Sequence, residues 1–180
     1  MSADVSCRVA WADDAPAIAA VQVRAWRTSY VDLLPDDLLA ALEVDEIAAG
    51  WAEALCRPPD ARNRVLVALE RNLVTGFAVT GPADDPDCDP IGDGAISDLT
   101  VDPHKRHAGH GSRLMQACVD TLKADRFSRA VTWLPAQDDE TRAFLTAAGW
   151  APDGAHRTLD LTGDGSTLVK QVRLHTDLGT

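Results

Sequence analysis

The stretch from residue 95 to residue 134 does most to limit the folds open to this chain. It reads strand, glycine turn, amphipathic helix, strand. Residues 95–101 read as a strand, and residues 109–124 place Leu114, Met115, Cys118 and Leu122 along one side of a helix. Residues 130–134 form a second, apolar strand. Two strands joined through a helix are expected to be parallel neighbours in one sheet, reached by a right-handed crossover. A helix-covered sheet with at least one parallel pair is therefore predicted.

The rest of the chain adds to this unit. Residues 7–10 predict a first strand. Asp13 or Asp14 offers a cap, and Pro16 suits the first turn of a helix. In that helix Ile18, Val21 and Ala25 form one apolar row, and Ala19, Val23, Trp26 and Tyr30 form a second. Further helix is predicted over residues 37–42 and 46–55, ended by Pro58 and Pro59. Residues 64–70 and 73–80 read as a hairpin turned at Arg71-Asn72. Residues 81–93, rich in Asp and Pro, predict a solvated, mobile loop. A helix over 138–148 starts at Asp138 or Asp139 and stops at Gly149, and residues 156–161 and 167–174 read as two late strands. The 180 residues predict a single domain spanning 1–180, an α/β mixed sheet with helices packed on it.

Charge and cysteine usage exclude several functions. The net charge of −11 argues against a nucleic-acid partner, which needs a basic face, and suits a cationic one. No apolar run approaches the ~20 residues of a membrane span. The first four residues lack the basic-then-apolar pattern of a secretory leader. The four cysteines are scattered, with no C-x-x-C pair, so a disulfide scaffold or cysteine zinc site is not expected and a cytoplasmic location is.

The chemistry concentrates at residues 101–111, where a strand meets a helix. Glycines let the backbone turn tightly and let a ligand approach it. The first N–H groups of a helix have no partner within it and favour an anion. Arg106 adds a fixed positive charge, within the basic run Lys105-Arg106-His107. Such a turn can hold a pyrophosphate without a metal. A nucleotide-hydrolase loop is excluded because G-x-x-x-x-G-K-S/T is missing, and a dinucleotide fingerprint because its third glycine is Leu114. His107 and His110 lie in the turn within reach of phosphate or adenosine. Neither has a second ligand at metal-binding spacing, so no metal is expected. Asp87, Asp89 and Asp93 approach the spacing of a calcium loop, but Ile91 occupies a ligand position.

The full pattern resembles the GNAT superfamily of N-acetyltransferases. Its mark is Q/R-x-x-G-x-G/A after a strand of the form E/D-L-x-V-x-P. Here the strand is Asp98-Leu99-Thr100-Val101-Asp102-Pro103, and Arg106, Gly109 and Gly111 follow. The family's later Asn falls at Asp138, and its F-Y-x-x-x-G-F/W ending reads Phe144, Leu145, Gly149, Trp150. Trp26, Arg27, Tyr30, Leu34 and Pro35 look like a bacterial branch with W-R-x-x-Y-x-x-x-L-P.

The resemblance implies a mostly antiparallel sheet of about seven strands, with one parallel pair splayed at the acyl-CoA site. It implies acetyl-CoA as donor and a small-molecule or protein amine as acceptor; homodimers are common in the family. Backbone groups at Leu99, Thr100 and Val101 would bond the pantetheine arm. Main-chain groups of Arg106, His107, Ala108, Gly109, His110, Gly111 and Ser112 would hold the pyrophosphate, with Asp138 at the position of the family's Asn. Trp26, Tyr30 and Leu33 would line the acceptor side.

Transfer needs a neutral amine, a donor for the oxyanion and a proton for the thiolate. By resemblance, the Leu99 N–H serves the oxyanion. Asp98, or Asp93, is a candidate base. Strand alternation puts Ala95, Ser97 and Leu99 on one face and Ile96, Asp98 and Thr100 on the other. The family's usual acid, a tyrosine, is replaced by Leu145, so a phenolic acid must be the sole tyrosine, Tyr30. Leu145 and Asp138 also motivate a second reading, an inactive acyl-CoA-binding sensor.

Overall fold

The computed structural model describes residues 5–179; residues 1–4, on which the expectation about a leader rests, lie outside them. Among the described residues, β1 (Val5–Val9), β2 (Arg64–Glu70), β3 (Leu73–Pro82), β4 (Asp93–Val101), β5 (Arg129–Pro135), β6 (Ala151–Asp160) and β7 (Leu168–Asp177) form one sheet. Its order is β1-β2-β3-β4-β5-β7-β6. Every neighbouring pair is antiparallel except β4 and β5. The helices are α1 (Ala15–Ser29), α2 (Asp36–Ala40), α3 (Val44–Cys56), α4 (His110–Ala124) and α5 (Asp139–Ala147).

Both faces of the sheet carry helices because the central strands are apolar on both sides. On one face Leu114, Met115, Cys118 and Leu122 of α4 pack with Leu66, Ala78 and Ile96. On the other, Ile18 and Val21 of α1 meet Val67, Leu69 and Phe77, with Trp51 of α3 against them. Each such side chain, once buried, contributes roughly 1.5–3 kcal/mol.

Four local features differ from the sequence expectation. Asp14 does not bond the N–H groups of α1; its carboxylate turns back to accept from the Trp11 N–H at 2.7 Å and pairs with Arg8. The first of the two further helices ends earlier than expected, at Ala40, and the second starts earlier, at Val44, straight after an extended Glu43 (φ −98°, ψ 119°). The penultimate strand begins earlier, at Ala151, and carries a register shift between Pro152 and His156 where Gly154 turns left-handed.

The fourth difference is the acidic loop between β3 and β4, which is latched to the sheet. Asp85 accepts from Trp133 Nε1 at 3.0 Å, and Asp87 is gripped by Arg173, which is only 3% exposed. Arg173 Nε also donates to Asp153 at 2.7 Å, and Asp153 takes Arg129 as well. The Arg173 guanidinium pulls the Asp87 carboxyl down to about 2. A depressed carboxyl contributes stability at neutral pH that is lost as pH falls through its folded pKa, so this latch releases only towards pH 2. Arg173→Met takes one of its two cations from half-buried Asp153, which keeps Arg129, and frees Asp87; it is expected to cost about 2 kcal/mol in urea unfolding. A variant that unfolds at the parent's midpoint would show that the latch carries no stability.

Candidate active site

Strands β4 and β5 pair through Asp93↔Arg129, Gly94↔Ala130 and Ala95↔Val131 and then separate. The last bond across is from the Thr132 hydroxyl to the Ile96 carbonyl, at 2.8 Å. Beyond it, one edge of β4 has lost its strand partner. The direction of the freed backbone groups follows from the ladder on the other side. The Asp102 N–H donates to the Thr75 carbonyl of β3 at 2.8 Å. Backbone groups alternate sides along a strand, so those of Thr100 and Asp98 also face β3. Those of Leu99 and Val101 face the gap.

A bulge changes which side chains share a face. The β3–β4 register slips between Val79↔Asp98 and Thr80↔Ile96, leaving Ser97 unpaired. Ile96 and Leu99 therefore both pack into the cluster under α4, instead of on opposite faces as simple alternation predicts. Asp98 lies on the α1 face, with the Thr100 hydroxyl donating to it at 2.7 Å. Burial raises the Asp98 pKa, opposed by the Thr100 hydroxyl and the Leu99 N–H. Asp93 sits at the far end of β4, bonded to Arg129, away from the gap.

Tyr30 closes the C-terminus of α1, half-buried and edge-on to Trp26 with ring centroids 6.1 Å apart. Its phenol pKa is raised, first by burial and then by the negative charges of Asp98 and Asp138. Tyr30, Asp98 and Asp138 thus share one electrostatic neighbourhood. Leu33, in the turn after α1, is 38% exposed. Asp138 caps α5: one carboxylate oxygen accepts from the Thr141 N–H at 2.9 Å and the other from the Thr141 hydroxyl at 2.7 Å.

After β4 the chain makes a short 3-10 turn at residues 103–105, capped by Asp102. Buried Asp102 accepts from Arg24 of α1 at 2.6 Å, which ties the turn to that helix. Two residues of the turn are left-handed, His107 (φ 60°) and Gly109 (φ 81°). A tight turn of this kind at the start of a helix can gather N–H groups into an anion-binding concavity. A non-glycine residue held left-handed, as His107 is, stores roughly 1–2 kcal/mol, a cost that gathers at ligand sites.

Gly111 has no such backbone need. A Cβ there would meet Val101 at 3.7 Å and Phe144 at 3.9 Å, ordinary contacts. Its bareness instead keeps the passage between β4 and α5 open. Ala108 and Ser112 are exposed beside it, and a groove of about 390 Å³ continues from Ser112 past Met115, Phe144 and Trp150.

The charges divide differently from the sequence pattern. Arg106 stays exposed, with one nitrogen 3.4 Å from the Ser29 hydroxyl, while Lys105 is committed to Glu70 at 2.8 Å. His107 is exposed. His110 is not part of the open turn: its ring is buried to 1% and points into the sheet, so only its backbone can face a ligand. No cluster of three or more metal-ligating side chains occurs among the described residues.

A strand that parts from its parallel neighbour, free backbone edges in the gap and a tight turn at the start of the next helix together form the candidate site. The profile of the acetyltransferase (GNAT) family matches residues 23–150, and the chain belongs to that family. Similar solved structures include an N-acetyltransferase from Staphylococcus aureus, 18% identical, covering 97% of this chain and 99% of its own at a TM-score of 0.73. Another is the PaiA N-acetyltransferase of Thermoplasma acidophilum in complex with coenzyme A, 12% identical, with 97% and 99% coverage and a TM-score of 0.71. A mycothiol acetyltransferase from Thermomonospora curvata is 35% identical over 78 residues, which are 43% of this chain; the chain spans 24% of that relative's length.

Proposed function

We propose that this protein, a single domain over residues 1–180, moves an acetyl group from acetyl-CoA to an amine by direct transfer in a ternary complex. The observation that carries the reading is the gap itself. The Leu99 and Val101 backbone groups open onto it, and it leads to the left-handed turn at His107 and Gly109. The turn suits a diphosphate, and the freed edge of β4 suits the amide-bearing pantetheine arm.

The transfer follows from the groups present. The amine nitrogen forms a bond to the thioester carbonyl carbon, and the Leu99 N–H steadies the oxyanion. Asp98, whose raised pKa makes it a stronger base than a solvated carboxylate, takes the amine proton. The C–S bond breaks, and the departing thiolate receives a proton from Tyr30, which its raised pKa keeps protonated at neutral pH. Trp26 and Leu33 border the acceptor. The negative charges of Asp98 and Asp138 favour an amine that arrives as a cation, and the chain's acidity adds to that field. No helix among the described residues is long and apolar enough to cross a membrane, and we place the enzyme in the cytoplasm.

The deciding experiment is thiol release from acetyl-CoA across a panel of small amines, amino acids and peptide N-termini. Amine-dependent release is expected. Tight binding of acetyl-CoA with no release for any amine would instead identify a sensor. Tyr30→Phe is expected to lower kcat about a hundredfold with KM for acetyl-CoA unchanged. A Phe variant as fast as the parent at every pH removes the phenol from the mechanism and leaves water to protonate the thiolate.

A further inference from the structure

We propose that His110 is a positioning residue for the acyl donor, joining with Glu70 to fix both ends of the turn that holds the diphosphate. The inference rests on the reading of that turn given above.

His110 is the first residue of α4, so its own N–H belongs to the cradle. Its side chain goes the other way, beneath the sheet. Nδ1 lies 3.2 Å from the hydroxyl of Thr75, which is itself 1% exposed. Nε2 lies 3.5 Å from Glu70 Oε2. That same oxygen accepts from Lys105 Nζ at 2.8 Å. One carboxylate oxygen therefore meets the residue just before Arg106 and the residue just after Gly109, and the four residues between carry the left-handed turn. Thr75 repeats the arrangement, taking Asp102 through its carbonyl at 2.8 Å and His110 through its hydroxyl. The β2–β3 hairpin thus holds the way into the cradle and the way out of it.

The proton count fixes one end of the ring. Thr75 has one hydroxyl hydrogen, and its oxygen sits 3.3 Å from the Ala68 carbonyl and 3.2 Å from His110 Nδ1. If that hydrogen goes to Nδ1, a neutral ring must carry its own hydrogen on Nε2. If it goes to Ala68, Nδ1 must donate, and Nε2 faces a carboxylate that accepts only. In both arrangements Nε2 carries a hydrogen and lies 3.5 Å from Glu70 Oε2, a charge contact longer than an ordinary hydrogen bond. An apolar residue of similar bulk would fill the space and leave the turn unpinned.

The test compares parent, His110→Leu, His110→Asn and Thr75→Val by calorimetric titration with coenzyme A. Initial rates are measured with acetyl-CoA and with acetyl-pantetheine, which lacks the diphosphate. His110→Leu is expected to raise Kd for coenzyme A and KM for acetyl-CoA about tenfold. Its kcat should hold within about twofold, as should kcat/KM for acetyl-pantetheine, because the donor's chemistry is untouched. His110→Asn, whose amide nitrogen can stand in for Nδ1 opposite Thr75, is expected to recover most of the loss. Thr75→Val should shift affinity in the same direction as His110→Leu.

Equal losses with both donors would reduce His110 to a packing role and overturn the proposal, as would a Leu variant that binds coenzyme A like the parent. A parent that binds no coenzyme A would overturn the underlying reading and this inference together. A parent that binds, with variants that bind equally well, would overturn this inference alone.

Discussion

Asp98→Asn lowers kcat for acetyl transfer by about a thousandfold and makes the protein more stable at neutral pH. The two effects share one cause. Burial on the α1 face raises the Asp98 pKa, so the native fold holds a carboxylate that would rather be neutral. Between the carboxyl's ordinary value and its raised one, the unfolded chain has already lost its proton while the native state keeps it. The native state then binds more protons, and stability falls as pH rises through that window. An amide of the same shape escapes the penalty but cannot take a proton from the amine. The checks are thermal melting at neutral pH and kcat against pH. The parent rate should rise through the raised Asp98 pKa, and that limb should be missing from the variant. A variant that loses activity and also melts lower would indicate a structural carboxylate, and one of parental activity would exclude Asp98 as the base.

Gly111→Leu is expected to fold as the parent does and to bind acetyl-CoA about thirty- to a hundredfold more weakly, the size of an overpacking penalty of about 2–3 kcal/mol. Gly111 lies in the first turn of α4 outside the left-handed region, so the backbone accepts a side chain and leucine is the better helix former. Its Cβ finds ordinary contacts with Val101 and Phe144, and the remaining carbons then occupy the passage between β4 and α5. Gly109 is the useful contrast. At φ 81° any side chain there strains the turn itself, so a substitution lowers stability as well as affinity. Melting temperature beside acetyl-CoA affinity separates the two. Unchanged affinity in Gly111→Leu would mean that the donor does not pass between Val101 and Phe144.

Much of this was legible in the chain because it is local. The apolar row Leu114, Met115, Cys118 and Leu122 specifies α4 and its buried side, and Gly149 (φ 91°) marks the end of α5. The strand, the turn at Arg106–Gly111 and the next helix are contiguous, so spacing alone locates them.

What stayed hidden depends on partners far away in sequence. The bulge at Ser97 exists only in the pairing with β3, and without it the pleat assigns Ile96 and Leu99 to the wrong faces. His110 reads as an exposed loop histidine because it sits between glycines. Its burial is decided by Thr75, 35 residues upstream, and by Glu70. The acidic loop reads as solvated because its counter-charge, Arg173, follows Asp87 by 86 residues. The free edge of β4 was implied only by resemblance, since no residue pattern in β5 announces that its pairing ends after Val131.

The most direct measurement is a crystal structure of the protein grown with acetyl-CoA. The diphosphate should lie against the N–H groups of residues 107–112, with the thioester arm along the Leu99–Val101 edge and its carbonyl close to the Leu99 N–H. A turn left empty, or a donor bound away from the opening between β4 and β5, would contradict the assignment.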